Sequence, residues 1–171
     1  PIFLRAYALS LQEAAERQRL AERHAAYYLD LATACYRAVP RDNDRVEMEF
    51  AQIEHAFAWC REFSPSRLVT LTNVLGDFLL VRGRSALLGV WGKAALDAAS
   101  RLDDAVGKAN TLISLGDLER RLGNVAEARA HYEGALPLYE AEQARLGKAN
   151  TLRSLGDLER RLGNVAEARA H

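Results

Sequence analysis

The sequence predicts an all-α fold, an α-α superhelix in which antiparallel helix hairpins stack one on the next, and two observations carry that prediction. The first is an internal repeat. Residues 107 to 131 read GKANTLISLGDLERRLGNVAEARAH and residues 147 to 171 read GKANTLRSLGDLERRLGNVAEARAH, so Ile113 against Arg153 is the single difference and the period is 147 − 107 = 40 residues. Self-similarity at such a period marks solenoids and arrays, because each unit can bury its apolar face only against a neighbour. The second observation is the apolar spacing inside each copy, which follows the helical period and is punctuated by glycine. Four prolines in 171 residues leave room for long helices.

Taken from the N-terminus, a first helix is expected over about residues 12 to 38, where Leu20, His24, Tyr27, Tyr28, Leu31 and Cys35 fall on one stripe. A second is expected over about residues 44 to 63, with Val46, Phe50, Ile53 and Phe57 facing inward and Asp44 with Glu47 as its cap. Residues 1–64 thus read as an N-terminal hairpin, a diverged repeat that would join an upstream domain. Ser64-Pro65 then restarts the chain as cap and first helical residue. Residues 65–171 read as the repeats proper. The first of these, 67–106, is diverged: Leu75-Gly76-Asp77, Gly83 and Ala95-Leu96 each lie 40 residues before Leu115-Gly116-Asp117, Gly123 and Ala135-Leu136. Two matching copies follow, 107–146 and 147–171, the second cut short. The sequence starts without Met and stops at His171, inside an expected second helix, so it is expected to be a piece of a longer chain whose open end invites end-to-end self-association.

Within the copy 107–146, Ala109, Leu112, Leu115, Gly116 and Leu122 define the first helix, and Gly123 supplies its left-handed stop. Asn124 and Glu127 read as a capping pair for the second, whose buried stripe is Val125, Ala128, Tyr132, Ala135, Leu136 and Tyr139. Gly116 opposite Ala128 is expected to let the two helices approach closely, with Tyr132 and Leu115 filling the wider space. Pro137 is expected to bend the second helix, since it removes a hydrogen bond from the ladder.

The run Leu115-Gly116, Gly123, Ala128, Tyr132 and Ala135-Leu136 resembles the signature of the tetratricopeptide repeat at matching spacing. The unit departs from that family's pattern at several places. Leu112 stands where the family has an early aromatic, Glu119 where it has a mid-helix tyrosine, the closing proline is absent, and the period is 40 against about 34 residues. A second resemblance lies in residues 3 to 60. The strings Arg5-Ala6-Tyr7-Ala8-Leu9, Arg23-His24-Ala25-Ala26-Tyr27-Tyr28-Leu29 and Glu54-His55-Ala56-Phe57-Ala58-Trp59 are similar to the junction in bacterial STAND ATPases of the NB-ARC-like, maltose-regulon-activator-like kind. There a nucleotide-binding module and a winged-helix domain lead into C-terminal tetratricopeptide repeats. The resemblance implies a sensor arm whose repeats receive a signal while an ATPase outside this chain acts as the switch. A stand-alone scaffold that holds other proteins together is the alternative.

Composition excludes several other classes. With 23 basic and 23 acidic residues the net charge is zero, which offers no electrostatic footprint for nucleic acid. No apolar run approaches a membrane span and the first residues lack a signal-peptide pattern, so a cytoplasmic protein is expected. Cys35 and Cys60 would lie about 20 Å apart along an antiparallel hairpin, too far for a disulfide, and read as reduced thiols. The doubled Gly-Lys at 107–108 and 147–148 is no phosphate loop. A Walker A motif needs Gly five residues before the Lys and Ser or Thr after it, whereas Asp103, Gln143, Ala109 and Ala149 stand there. Gly107 and Gly147 read instead as punctuation between helices. His24, His55, His131 and His171 have no second His or Cys at metal spacing, so neither a metal, a cofactor nor catalysis is expected, and His24 reads as a hydrogen-bonded core or rim residue. The aromatic residues, Trp59 and Trp91 included, read as core.

The polar face of each first helix carries the candidate site. In tetratricopeptide solenoids these helices line the concave side, and the resemblance places its ligand-facing positions on Asn110, Ile113, Asp117, Arg120 and Arg121 in one copy. In the next they are Asn150, Arg153, Asp157, Arg160 and Arg161, and in the diverged copy Thr70, Asn73, Asp77, Leu80 and Val81. Asp117 and Arg121 also read as a four-residue ion pair that merely supports an exposed helix. Rows of Asn and Arg on that face would suit a protein or peptide segment, or a small anionic or hydroxylated signal.

Overall fold

The computed structural model describes residues 2–163, and among them the chain is helical with no strand. Its backbone divides into two compact units, Pro1–Ser64 and Pro65–His171.

The first unit holds α1 (Ile2–Arg37), α2 (Asn43–Met48) and α3 (Phe50–Phe63). Helix α1 starts about ten residues earlier than its apolar stripe implies. No glycine or proline interrupts Ile2–Arg37, and the added segment is rich in Ala, Leu, Arg, Gln and Glu, the strongest helix formers. The expected helix over 44 to 63 is two helices. They meet at Glu49, whose φ of −98° and ψ of 7° leave the helical region while Tyr28 donates a 3.2 Å hydrogen bond to its carboxylate. The cap is Asp42, which accepts from the Arg45 N–H at 3.1 Å; Asp44 falls inside the first turn. Ala25, Leu31, Ala32 and Cys35 of α1 bury against Val46, Phe50, Ile53, Ala56, Phe57 and Cys60. Leu20 and Tyr27 do not join them and stay exposed: Leu20 precedes the buried stretch that begins at Ala25, and Tyr27, between buried Ala25 and Leu31, faces away from α3. Cys35 and Cys60 are free thiols, and burial foremost pushes the Cys35 thiol up.

The second unit holds α4 (Pro65–Val81), α5 (Ser85–Arg101), α6 (Ala105–Leu122), α7 (Val125–Ala141) and α8 (Arg145–Arg161). Corresponding helices start 40 residues apart, at 65, 105 and 145 and at 85 and 125. Helix α6 packs on α7, the second helix of its own hairpin, and on α5 of the preceding one, while α4 packs on α5 and α8 on α7. Two kinds of turn alternate. Gly83, Gly123 and Gly163 close the first helices with φ of 72°, 84° and 80°, while Asp103 and Gln143 take the left-handed position in the turns before α6 and α8, at 52° and 53°.

Gly107 and Gly147 therefore are not punctuation. Both lie within the first turn of a helix, where they permit close packing. A Cβ on Gly107 would sit 2.7 Å from Val69 Cγ1 and collide with the Asp104 carboxylate, which caps α6 by accepting from the Gly107 N–H at 2.8 Å. A Cβ on Gly147 would collide with the Tyr139 ring. Gly116 likewise makes room for the ring of Tyr132 rather than for Ala128. Asn124 occupies the cap position of α7 without a side-chain cap bond; its amide donates to Glu119 at 2.6 Å instead of forming a capping pair with Glu127. Helix α7 runs on past Pro137 to Ala141. Its stripe buries Ala128, Tyr132, Ala135 and Tyr139, with Val125 and Leu136 partly buried, whereas Leu122 at the end of α6 is exposed.

Glu119 and Glu159 stand at the same position of successive copies, and their fates differ. Glu159 is wholly buried and ion-paired with Arg129 of α7. The residue 40 before Arg129 is Gly89, so Glu119 has no such cation beside it and turns to Asn124.

Candidate functional site

The outward strip of the first helices repeats with the period of the chain. Along α6 the exposed or partly exposed positions 106, 110, 113, 117 and 121 advance by three or four residues, one face of a helix, and α4 and α8 carry the same strip 40 residues away. Thr70, Asn110 and Asn150 form one row, all exposed. Asn73, Ile113 and Arg153 form the next, then Asp77, Asp117 and Asp157, then Val81, Arg121 and Arg161. Leu80 does not belong to the strip, being buried in the core, whereas Arg120 and Arg160 in its register lie partly or fully in the open.

Several of these side chains are committed inside the molecule. Tyr132, fully buried, donates its hydroxyl to Asp117 Oδ1 at 2.8 Å and accepts from Arg120 Nε at 3.3 Å, while Arg120 Nη2 reaches the same carboxylate oxygen at 3.1 Å. The ion pair of Asp117 is thus with Arg120, three residues on, and not with Arg121. Arg121 points back to the preceding repeat and donates to the Leu80 carbonyl at 2.9 Å, satisfying an acceptor at the end of α4. Burial works against the Arg120 charge, but its bonds to Tyr132 and Asp117 outweigh this and hold the guanidinium above its ordinary value. Burial, followed by the Asp117 charge, pushes the Tyr132 phenol well up, so the hydroxyl stays a donor.

A second tyrosine does the same one face-length earlier. Tyr139 donates to Asn110 Oδ1 at 2.6 Å, so the seven-residue step from Tyr132 to Tyr139 on α7 matches the step from Asn110 to Asp117 on α6. With one acceptor position of its oxygen taken by Tyr139, the exposed Asn110 still has its amide N–H groups to donate. Neither tyrosine was read from the sequence as part of the site. The signal lay in the residue type: a buried phenol needs a partner where phenylalanine would not.

The remaining positions divide the same way. Asn73 is consumed on both atoms, donating to the Gly107 carbonyl at 3.0 Å and accepting from Thr111 Oγ1 at 2.8 Å. Ile113 packs against the two cores built around Tyr132 and Tyr139. Asp157 and Arg160 pair at 3.0 Å in the open, and Asn150, Arg153 and Arg161 are exposed. Asp77 is exposed on α4.

Elsewhere, His24 sits at the rim, its Nε2 3.0 Å from Gln52 Oε1 and its ring 4.7 Å from that of Tyr28. His55 is exposed, His131 is partly buried, and His171 lies outside the described residues. Among the described residues no three His, Cys, Asp or Glu side chains are grouped to hold a metal ion, and no helix is long and apolar enough to cross a membrane.

Comparison with known proteins agrees with this architecture. No curated protein matches the chain. The family model described as the tetratricopeptide repeat matches residues 66–141 and 118–171, which together span well over half of the chain and coincide with the α4–α8 hairpins. The chain belongs to the tetratricopeptide-repeat family, whose units generally mediate protein–protein interaction and are typically non-enzymatic.

Proposed function

We propose that this chain is the sensor arm of a bacterial, cytoplasmic STAND-type regulator, and that its repeats recognise an extended segment of a partner protein, or a small signal, on a concave face made by α4, α6 and α8. The observation that carries the binding reading is the ladder itself. The same side chains recur every 40 residues along one exposed strip, with Asn110 and Asn150, Asp117 and Asp157, and Arg121 and Arg161 in register. An extended peptide laid across parallel helices meets such rows at regular intervals, and outward amide and guanidinium donors suit its carbonyl and carboxylate groups. The sites are Asn110 as a fixed donor, with Asn150, Arg153, Asp157, Arg160 and Arg161 in the following copy and Asp77 in the diverged one. Asn73, Ile113, Asp117, Arg120 and Arg121 shape and hold the face. The regulator reading rests on the likeness of residues 3 to 60 to the segment that joins a winged helix to repeats.

The two parts are tested separately. A coding sequence that carries a Walker A motif and a winged helix ahead of Pro1 supports the regulator, and its absence removes that reading. For the face, peptides selected from a random display library on the chain are titrated against Asn150→Ala, Arg153→Ala and Arg160→Ala. Loss of a charge-assisted bond should weaken binding about tenfold or more. Unchanged affinity in all three variants overturns the assignment.

A further inference from the structure

Two junctions join successive first helices of the second unit, α4 to α6 and α6 to α8, and the near-identity of α6 and α8 allows them to be compared residue by residue. At the first junction polar bonds tie the helices at both ends. Asn73 donates to the Gly107 carbonyl at 3.0 Å and receives the Thr111 hydroxyl at 2.8 Å, and Arg121 donates to the Leu80 carbonyl at 2.9 Å. At the second junction the receiving groups are the same residues, Gly147 and Thr151. The residue facing that position is now Ile113, whose side chain has no polar atom. Thr151 keeps only the bond within its own helix, to the Gly147 carbonyl at 2.8 Å, whose counterpart Thr111 also makes to the Gly107 carbonyl at 2.8 Å. Among the described residues α6 and α8 touch only slightly, and α8 packs on α7 through the Arg129–Glu159 ion pair and the Tyr139 ring lying over Gly147.

We propose that the α4–α6 junction is a locked block, that the α6–α8 junction is a hinge, and that the residue at positions 73 and 113 sets the difference at the N-terminal end of α6 and α8. A hydrogen bond holds its partners within a few tenths of an ångström and a narrow angle, whereas apolar contact is non-directional and tolerates sliding. The hinge falls between the two near-identical ladders, so its setting changes the spacing of Asn110 to Asn150 and of Asp117 to Asp157. A ligand that engages both rows favours one spacing and thereby one setting. That last step rests on the proposed binding face; the hinge itself does not, and it is measured without ligand.

Hydrogen exchange on the 171-residue chain tests it, because residues 107–123 and 147–163 differ at one position and so share nearly all their intrinsic exchange rates. Asn73→Ile should speed exchange in the first half of α6 about tenfold, the effect of losing a hydrogen bond's net contribution. Ile113→Asn should slow exchange in α8 by a similar factor, as the new amide meets the Gly147 carbonyl and the Thr151 hydroxyl. A second measurement does not depend on either variant. Nitroxides at Ser66→Cys with Val106→Cys, and at Val106→Cys with Leu146→Cys, report the two junctions from equivalent exposed positions. Dipolar EPR should give a narrow separation for the first pair and a broad one for the second. Equal widths, or unchanged α6 exchange in Asn73→Ile, overturn the proposal.

Discussion

Gly116→Ala should destabilise the second unit although alanine is the better helix former. The substitution would place a Cβ 2.5 Å from Tyr132 Cε1, 2.7 Å from Cδ1 and 3.1 Å from Cζ. Ordinary carbon contacts begin near 3.5 Å, so the ring must retreat by about 1 Å. It has nowhere easy to go. Tyr132 is fully buried among Ala128, Leu155 and Leu158, and its hydroxyl is tied to Asp117 and Arg120 on the same helix that carries the glycine. Overpacking costs about 1–3 kcal/mol and disturbing the hydroxyl's bonds about 1 kcal/mol more, against a propensity gain of about 1 kcal/mol. The net expectation is a loss of roughly 1–3 kcal/mol.

Gly134→Ala in α7 is the matched control, because a Cβ there meets nothing nearer than Leu112 Cδ1 at 3.7 Å, an ordinary contact. It should stabilise by up to about 1 kcal/mol. Urea unfolding followed by helical circular dichroism measures both. A double variant, Gly116→Ala with Tyr132→Leu, should recover part of the Gly116→Ala loss and give a clear coupling energy. If Gly116→Ala stabilises the protein as Gly134→Ala does, the ring is not what the glycine makes room for.

Three further outcomes follow from single contacts. Arg129→Met should cost about 2–3 kcal/mol by leaving Glu159 buried without its cation, and adding Glu159→Gln should restore much of that; thermal melts of the three proteins decide it. Gln143→Gly should raise the melting temperature, since φ of 53° costs a side-chain-bearing residue about 1–2 kcal/mol against a smaller entropic penalty for glycine; Asp103→Gly should gain less, as aspartate tolerates this conformation better. Burial pushes the phenols of Tyr132 and Tyr139 up, so below pH 10 both states hold these protons and the contribution is complete. Above pH 10 the unfolded chain releases them first and stability falls by up to about 1.4 kcal/mol per pH unit for each tyrosine. Urea midpoints at pH 9 and 11 should show the drop, and Tyr132→Phe should shrink it.

The helices and their period were legible because both depend on spacing. Leu115, Ala128, Tyr132 and Ala135 lie in the core as their helical register requires, and Gly123 closes α6 in the left-handed region. What spacing does not encode is which polar atom meets which. Asp117 has arginines both three and four residues on, and local rules allow either pair. The buried hydroxyl of Tyr132 settles it, since it holds Arg120 and Asp117 together and leaves Arg121 for the Leu80 carbonyl. The capping pair at Asn124 failed for a related reason: Glu119 lies one turn back and takes the amide first. Gly107 is ambiguous in the sequence because a glycine near a helix start looks the same whether it ends one element or admits a neighbour's side chain into the next.

The single difference between the matching copies shows why a candidate site cannot be copied from one repeat to another by register alone. Positions 113 and 153 stand at the same point of the same helical sequence, yet Ile113 lies between the cores of α7 and α8 while Arg153 is exposed. A guanidinium at 113 would have to be desolvated among Ala128, Tyr132, Ala135 and Tyr139. The same holds for the glutamates: Glu159 is buried because Arg129 precedes it on α7, and Glu119 is not because Gly89 stands in the corresponding place. In this chain the repeat supplies the scaffold, and the preceding hairpin decides whether a polar residue on a first helix is spent on holding the stack together or left free to meet a partner.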